Sequence, residues 1–258
     1  MSVKLRKLGE QVVVITGATS GIGLCTAREA ARRGARVVIA SRNEEELTRL
    51  AAEIEGAGGF ALAVPTDVTD PRAMIRLRDA AMDKFGRIDT WVNNAGLSIY
   101  GKLHEVDLVE ARRLFDVNFW GVVHGCHAAV GALRERGGAI INIGSVLSDR
   151  VIPIQGMCSA SKHAVKGYTD ALRMEVEMEN LGISVTLIKP SAIDTPRPTS
   201  SAPNRNGSVR QITRGTDENA IMAAAAMRPS RVSHIGIATK RPVRSELRRD
   251  STSAPKFS

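Results

Sequence analysis

Three groups of residues in this chain have the types and spacing to do chemistry. Between an apolar run, Val12 to Thr16, and a helical pattern lies Thr16-Gly17-Ala18-Thr19-Ser20-Gly21-Ile22-Gly23. Glycines there let the backbone approach an anion, and a helix N-terminus adds unpaired N–H groups and a favourable dipole, so the chemistry would be the holding of a pyrophosphate. The spacing is Gly-x-x-x-Gly-x-Gly rather than the commoner Gly-x-Gly-x-x-Gly, and glycine turns between strand and helix also arise for structural reasons alone. Its place directly after the first apolar strand favours the anion. Further along, Ala40-Ser41-Arg42-Asn43 ends a second apolar run. A carboxylate about 20 residues beyond such a loop bonds a ribose 2′-hydroxyl, whereas an arginine accommodates a 2′-phosphate. No carboxylate stands at this tip, and the planar fork of Arg42 suits phosphate, the alternative being a solvated arginine at a strand end. His124 and His127 have a spacing that can share a metal, but Val-Val-His-Gly-Cys-His-Ala-Ala offers no third ligand and reads as a packed helix, so no metal is expected.

These residues must be positioned by regular elements, and the first 190 residues have the rhythm for it. Short β-branched runs alternate with amphipathic stretches: 12–16, 37–40, 60–64, 88–94, 139–144 and 183–188 as strands, with helices between them, two across 103–135 and a long one near 157–181. Strands apolar throughout, each followed by a helix, indicate a parallel sheet covered on both faces, an α/β doubly wound fold whose ligand lies beyond the carboxyl ends of the strands. Trp91 and Trp120 fit a strand and a helix face and are expected in the core.

With 258 residues, 43% apolar and 24% charged, the chain can bury one substantial core. No apolar stretch is long enough for a membrane span, and no signal-type segment opens the chain, so a membrane partner is not expected. Cys25, Cys126 and Cys158 form no Cys-x-x-Cys pair and are too few for a disulfide framework, which points to a reducing, cytoplasmic setting. Cys25 and Cys126, among Ala, Val and Gly, read as packing residues. The net charge of +9 is concentrated: residues 1–196 carry 24 basic and 23 acidic groups, residues 197–258 carry 12 and 4. That last segment also holds five of the ten prolines and a single aromatic, Phe257. It therefore divides from a 1–196 dinucleotide-binding domain as an atypical, Ser/Pro-rich tail, and without interleaved aromatics it does not indicate a nucleic-acid partner.

Taken together, TGATSGIG (16–23), Asp67-Val68, Asn93-Asn94-Ala95-Gly96, Asn118, Ser145, Lys162 and IKPSAIDTP (188–196) resemble the short-chain dehydrogenase/reductase family over about residues 8–196. The resemblance implies a Rossmann-type fold and hydride transfer between a nicotinamide cofactor and a small-molecule alcohol or carbonyl compound. It implies a cofactor site of Gly17, Thr19, Ser20, Gly21, Ile22, Gly23, Ser41, Arg42, Asp67, Val68, Asn94, Ala95, Gly96, Lys162, Pro190, Ile193 and Thr195. In it Asp67 meets the adenine, Lys162 the nicotinamide ribose and Thr195 the carboxamide. With Arg42 at the strand tip, NADP is expected over NAD. A homo-oligomer is compatible with the family, although this tail disfavours one.

The catalytic pattern departs from the family. Its members carry a tyrosine four residues before the lysine, with serine and asparagine completing the relay; here Ser145, Asn118 and Lys162 stand in place and the tyrosine position is Cys158. The phenol is the general acid/base that exchanges a proton with the substrate oxygen. Reach is the obstacle, because a phenol oxygen lies roughly 6.5 Å from its Cα and a thiol sulfur roughly 2.8 Å, a gap of about 3.5 Å that one water would span. Two functions follow: an oxidoreductase impaired at Cys158, or a dinucleotide-binding protein without efficient turnover. Leu97, Ser98, Tyr100, Leu147 and Ile154 are expected to border an apolar substrate pocket.

Overall fold

Six strands rich in Val and Ile form the centre of the computed structural model, which describes residue 3 and residues 5–191. They are β1 (Val12–Thr16), β2 (Arg36–Ser41), β3 (Phe60–Pro65), β4 (Thr90–Asn93), β5 (Gly138–Ile143) and β6 (Ile183–Ile188). All neighbours pair in parallel in the order β3-β2-β1-β4-β5-β6. The order reverses between β1 and β4, and this switch point opens a crevice at the carboxyl ends of the strands.

Helices α1 (Gly21–Arg32), α2 (Glu44–Gly56), α3 (Pro71–Phe85), α4 (Leu108–Phe115), α5 (Gly121–Leu133) and α6 (Gly156–Met178) cover the sheet. The strands' two-residue period divides the core. Val12, Val14 and Ile140 face α3, α5 and α6 through Met74, Leu77, Val122, Leu133, Val165 and Val176. Val13, Ile15, Val37 and Ile39 face α1 and α2 through Ala27, Ala30, Leu47, Leu50 and Ile54. Helix starts follow their side chains: Asn43 and Asp70 accept the N–H of Glu46 and Arg72, and Gly86 closes α3 in the left-handed region with φ 72°.

One stretch differs from its expected form. Between α4 and α5 the helix widens into a π turn, Asp116–Trp120, and so runs from 108 to 133 without a break. The extra residue in that turn rotates the side chains around it. Phe119 packs against the core, whereas Trp120, expected to be buried, is 50% exposed and stacks on His124. Trp91 is fully buried as expected. Ile193, Thr195 and the tail 197–258 lie outside the described residues.

Candidate active site

The glycine loop shows why side chains are excluded from it. Gly17 has φ 65°, and a Cβ there would sit 2.8 Å from the Ala95 Cα. A Cβ at Gly23 would lie 2.2 Å from the Gly17 carbonyl oxygen and 2.4 Å from Asn94 Nδ2. The loop is closed from β4: Asn94 Nδ2 donates to the Thr16 and Gly17 carbonyls at 2.9 and 3.1 Å, and Thr16 Oγ1 accepts the N–H groups of Asn94 and Ala95 at 3.0 and 3.2 Å. Ser20 precedes α1 in extended backbone without a side-chain capping bond. The first N–H groups of α1 therefore have no partner within the helix. Thr19, Ser20, Gly21 and Ile22 are partly exposed. This cradle fits a pyrophosphate, with backbone donors and no Cβ in the way.

Around it, Arg42 is exposed and makes no hydrogen bond or ion pair among the described residues. Ser41 Oγ accepts the Asn43 N–H at 3.3 Å, which shapes the turn beside Arg42. Asp67 Oδ1 accepts the Thr69 N–H and hydroxyl at 3.0 and 2.9 Å. Val68 is buried, and its carbonyl lies 3.0 Å from His124 Nδ1. That imidazole thus ties α5 to the loop after β3, and no cluster of three metal-ligating side chains occurs among the described residues. Pro190 lends its carbonyl to the Val146 N–H at 3.1 Å.

Asn118 enters from the π turn and is almost wholly buried. Its Oδ1 accepts the Leu97 N–H at 2.8 Å, while its Nδ2 donates to the Leu97 carbonyl at 3.0 Å and to Ser161 Oγ at 3.3 Å. Gly96 runs beside it: a Cβ there would stand 3.3 Å from Asn118 Oδ1 and 4.0 Å from Lys162 Nζ. Lys162 Nζ donates to the Ile143 carbonyl at 2.8 Å. Burial brings its ammonium down from 10.5 to about 8, opposed by the nearby Cys158. Ser145 Oγ accepts the Leu147 N–H at 3.2 Å, and Ser148 Oγ accepts the Ser145 N–H at 3.2 Å.

Cys158 lies one turn before Lys162 on α6 and is 4% exposed. Its sulfur accepts the Ile99 N–H and donates to the Ile99 carbonyl, both at 3.3 Å. Leu114 and Leu147 pack around it. Among the described residues no direct hydrogen bond joins Ser145, Cys158 and Lys162. Nor does Tyr168 replace the phenol, because it packs edge-on against Phe119 and burial raises its hydroxyl pKa.

The backbone of Ile99 and Ile143 has no sequence signal. A carbonyl has the same identity at every position, and only the folded path shows which one receives a lysine.

A parallel sheet with a glycine cradle at its switch point, and a lysine and a buried asparagine beside it, defines a Rossmann-type, nucleotide-binding fold. The family model described as short chain dehydrogenase matches residues 11–206. The chain belongs to the short-chain dehydrogenase family. It is 49% identical over 196 residues to the uncharacterized oxidoreductase YxnA of Bacillus subtilis, covering 75% of this chain and 55% of that protein's length. A short chain dehydrogenase/reductase from Burkholderia phymatum, solved in complex with NAD, superposes with a TM-score of 0.70 at 31% identity over 76% of this chain and 74% of that one. An alcohol dehydrogenase from Thermococcus sibiricus, complexed with 5-hydroxy-NADP, gives a TM-score of 0.66 at 30% identity over 71% of this chain and 77% of that one. Structural relatives of this chain thus bind NAD or an NADP derivative. Among the described residues no helix is long and apolar enough to cross a membrane.

Proposed function

We propose that this chain binds NADP(H) and moves hydride slowly between the nicotinamide and an apolar alcohol or carbonyl compound. Bound dinucleotide would supply or accept the hydride. Gly17, Thr19, Ser20, Gly21, Ile22 and Gly23 would hold its pyrophosphate, Ser41 and Arg42 its 2′-phosphate, and Asp67 and Val68 its adenine. Asn94, Ala95, Gly96, Pro190, Ile193 and Thr195 would line the nicotinamide side. Lys162 orients the ribose and Ser145 polarises the substrate oxygen, while Asn118, its amide spent on Leu97 and Ser161, holds the loop after β4 beside them.

The observation that carries this reading is the intact lysine frame around an altered acid/base position. Lys162 is anchored on Ile143 and Asn118 on Leu97, while Cys158 turns its sulfur to Ile99. A proton must then travel by water or from Ser145, and loss of a positioned acid/base costs on the order of 10² to 10⁴ in rate. The buried, unbridged thiols of Cys126 and Cys158 accord with a reducing, cytoplasmic setting.

A fluorescence titration of the full chain with NADPH and NADH tests binding. The expected result is preference for NADPH, lost in Arg42→Ala; equal affinity for both nucleotides in the parent chain would remove the NADP assignment. NADPH oxidation with small carbonyl compounds tests turnover, which should rise 10²-fold or more in Cys158→Tyr. The engagement of Cys158 on both sides by Ile99 favours a second reading, a dinucleotide-binding protein without turnover. Tight NADPH binding with no oxidation in either form would establish it.

A further inference from the structure

Beneath the site runs a chain of hydrogen bonds that the residues above do not account for. Trp91 Nε1 donates to Asn93 Oδ1 at 2.8 Å, and Asn93 Nδ2 donates to Asn142 Oδ1 at 2.9 Å. Asn142 Nδ2 donates to Thr169 Oγ1 at 3.0 Å, and the Thr169 hydroxyl donates to the Val165 carbonyl at 2.6 Å. Trp91, Asn142 and Thr169 are 0% exposed and Asn93 is 3% exposed. Every donor points the same way, from β4 through β5 into α6. Cys126 lies against both asparagines, with Asn93 Nδ2 at 3.4 Å and Asn142 Oδ1 at 3.6 Å, and burial pushes its thiol up to about 12.

Polar groups at this depth contribute little net stability even when paired, and apolar groups of the same shape can serve as well. They do something that apolar contacts do not. Val165, Leu172 and Val176 hold α6 to the sheet, but such contacts are non-directional and tolerate rotation of a helix about its axis. A hydrogen bond, restricted in length and angle, does not. Asn93, Asn142 and Thr169 each also adjoin a group of the site. Asn93 precedes Asn94, which closes the glycine loop. Asn142 precedes Ile143, whose carbonyl holds Lys162. Thr169 follows Lys162 by seven residues, about two turns, and so shares its face of α6.

We propose that Asn93, Asn142 and Thr169 are positioning residues, whose directed hydrogen bonds set the rotation of α6 against β5 and so hold Lys162 Nζ on the Ile143 carbonyl, facing the dinucleotide site. The inference rests on the proposed function only in naming a dinucleotide as what Lys162 serves.

The test compares Thr169→Val, which keeps the shape and removes the hydroxyl, with Thr169→Ser, which restores it. Leu77→Ala on α3 is the control, since it opens a cavity in the same apolar cluster and removes no hydrogen-bonding group. Two readouts are taken on the full chain: the pH midpoint of Lys162 acetylation under trace labelling, read by mass spectrometry without nucleotide, and the NADPH dissociation constant. In Thr169→Val the midpoint should climb from about 8 toward the ordinary 10.5, and NADPH should bind about tenfold more weakly. Thr169→Ser should stay within about twofold of the parent chain. Leu77→Ala should lower the melting temperature and leave both readouts unchanged. Equal effects of Thr169→Val and Leu77→Ala, or no recovery in Thr169→Ser, would overturn the proposal. Should Thr169→Val fail to fold, Thr169→Ala removes the same hydroxyl without added bulk. A parent chain that binds no dinucleotide defeats the proposed function, while the labelling midpoints still decide this inference.

Discussion

Cys158 shows how much one side chain changes when its neighbours do not. Lys162 stands one turn later, Asn118 in the π turn and Ser145 after β5, so in the proposed function the deficit is one of reach. The sulfur is too short to stand where a phenol oxygen would, and it pairs instead with the nearest backbone, Ile99. Lys162 lies in the same environment with the opposite problem, because it keeps a charge where water is scarce. Its folded pKa of about 8 lies below the ordinary 10.5, so between those values the unfolded chain binds more protons and stability rises with pH. Below pH 8 the full cost of the buried ammonium is present. Lys162→Met should therefore be more stable than the parent chain at pH 7, by on the order of 1 to 3 kcal/mol, with the gap closing as pH rises through 8 to 10.5. Urea unfolding of both proteins at pH 7 and pH 10 checks this, and an unchanged gap would contradict the burial of the charge.

At the scale of elements, the junction of α4 and α5 decides the site's geometry. A π turn places Asn118 inward, against Leu97 and Ser161, and sends Trp120 outward. Side-chain periodicity across 103–135 points to helix but carries no signal for one widened turn, and so it places Trp120 in the core. The approach of α5 to β4 depends on Gly125, where a Cβ would fall 1.9 Å from Asn93 Oδ1. Gly125→Ala is expected to force the helix from the strand and break the Trp91–Asn93–Asn142 bonds, at a cost of about 2 to 4 kcal/mol. Gly131→Ala on the same helix meets only the end of the Arg78 side chain at 3.3 Å and should cost much less. Denaturant midpoints of the two variants separate a packing clash from a change in helix propensity, which would affect both alike.

For the whole molecule, the crevice at the switch point couples binding to folding. A ligand that binds the folded chain alone stabilises it by about 2.7 kcal/mol at a concentration 100 times its dissociation constant. Saturating NADPH should raise the melting temperature, and Arg42→Ala should reduce that rise while leaving the unliganded value near the parent's, since Arg42 bonds nothing among the described residues. A rise of equal size in both forms would separate Arg42 from the nucleotide.

The order of strands and helices, the parallel sheet and the glycine loop were legible in the residues, because periodicity, β-branching and glycine placement report local backbone preference directly. That Cys158 stands four residues before Lys162 is likewise plain, a matter of residue identity and spacing. Only the tertiary structure decided where the sulfur points, which carbonyl anchors Lys162, and that Asn93, Asn142 and Thr169 join into one directed line. These depend on contacts between strands and helices distant in sequence, and an asparagine within an apolar strand does not name its partner until the strands are laid side by side.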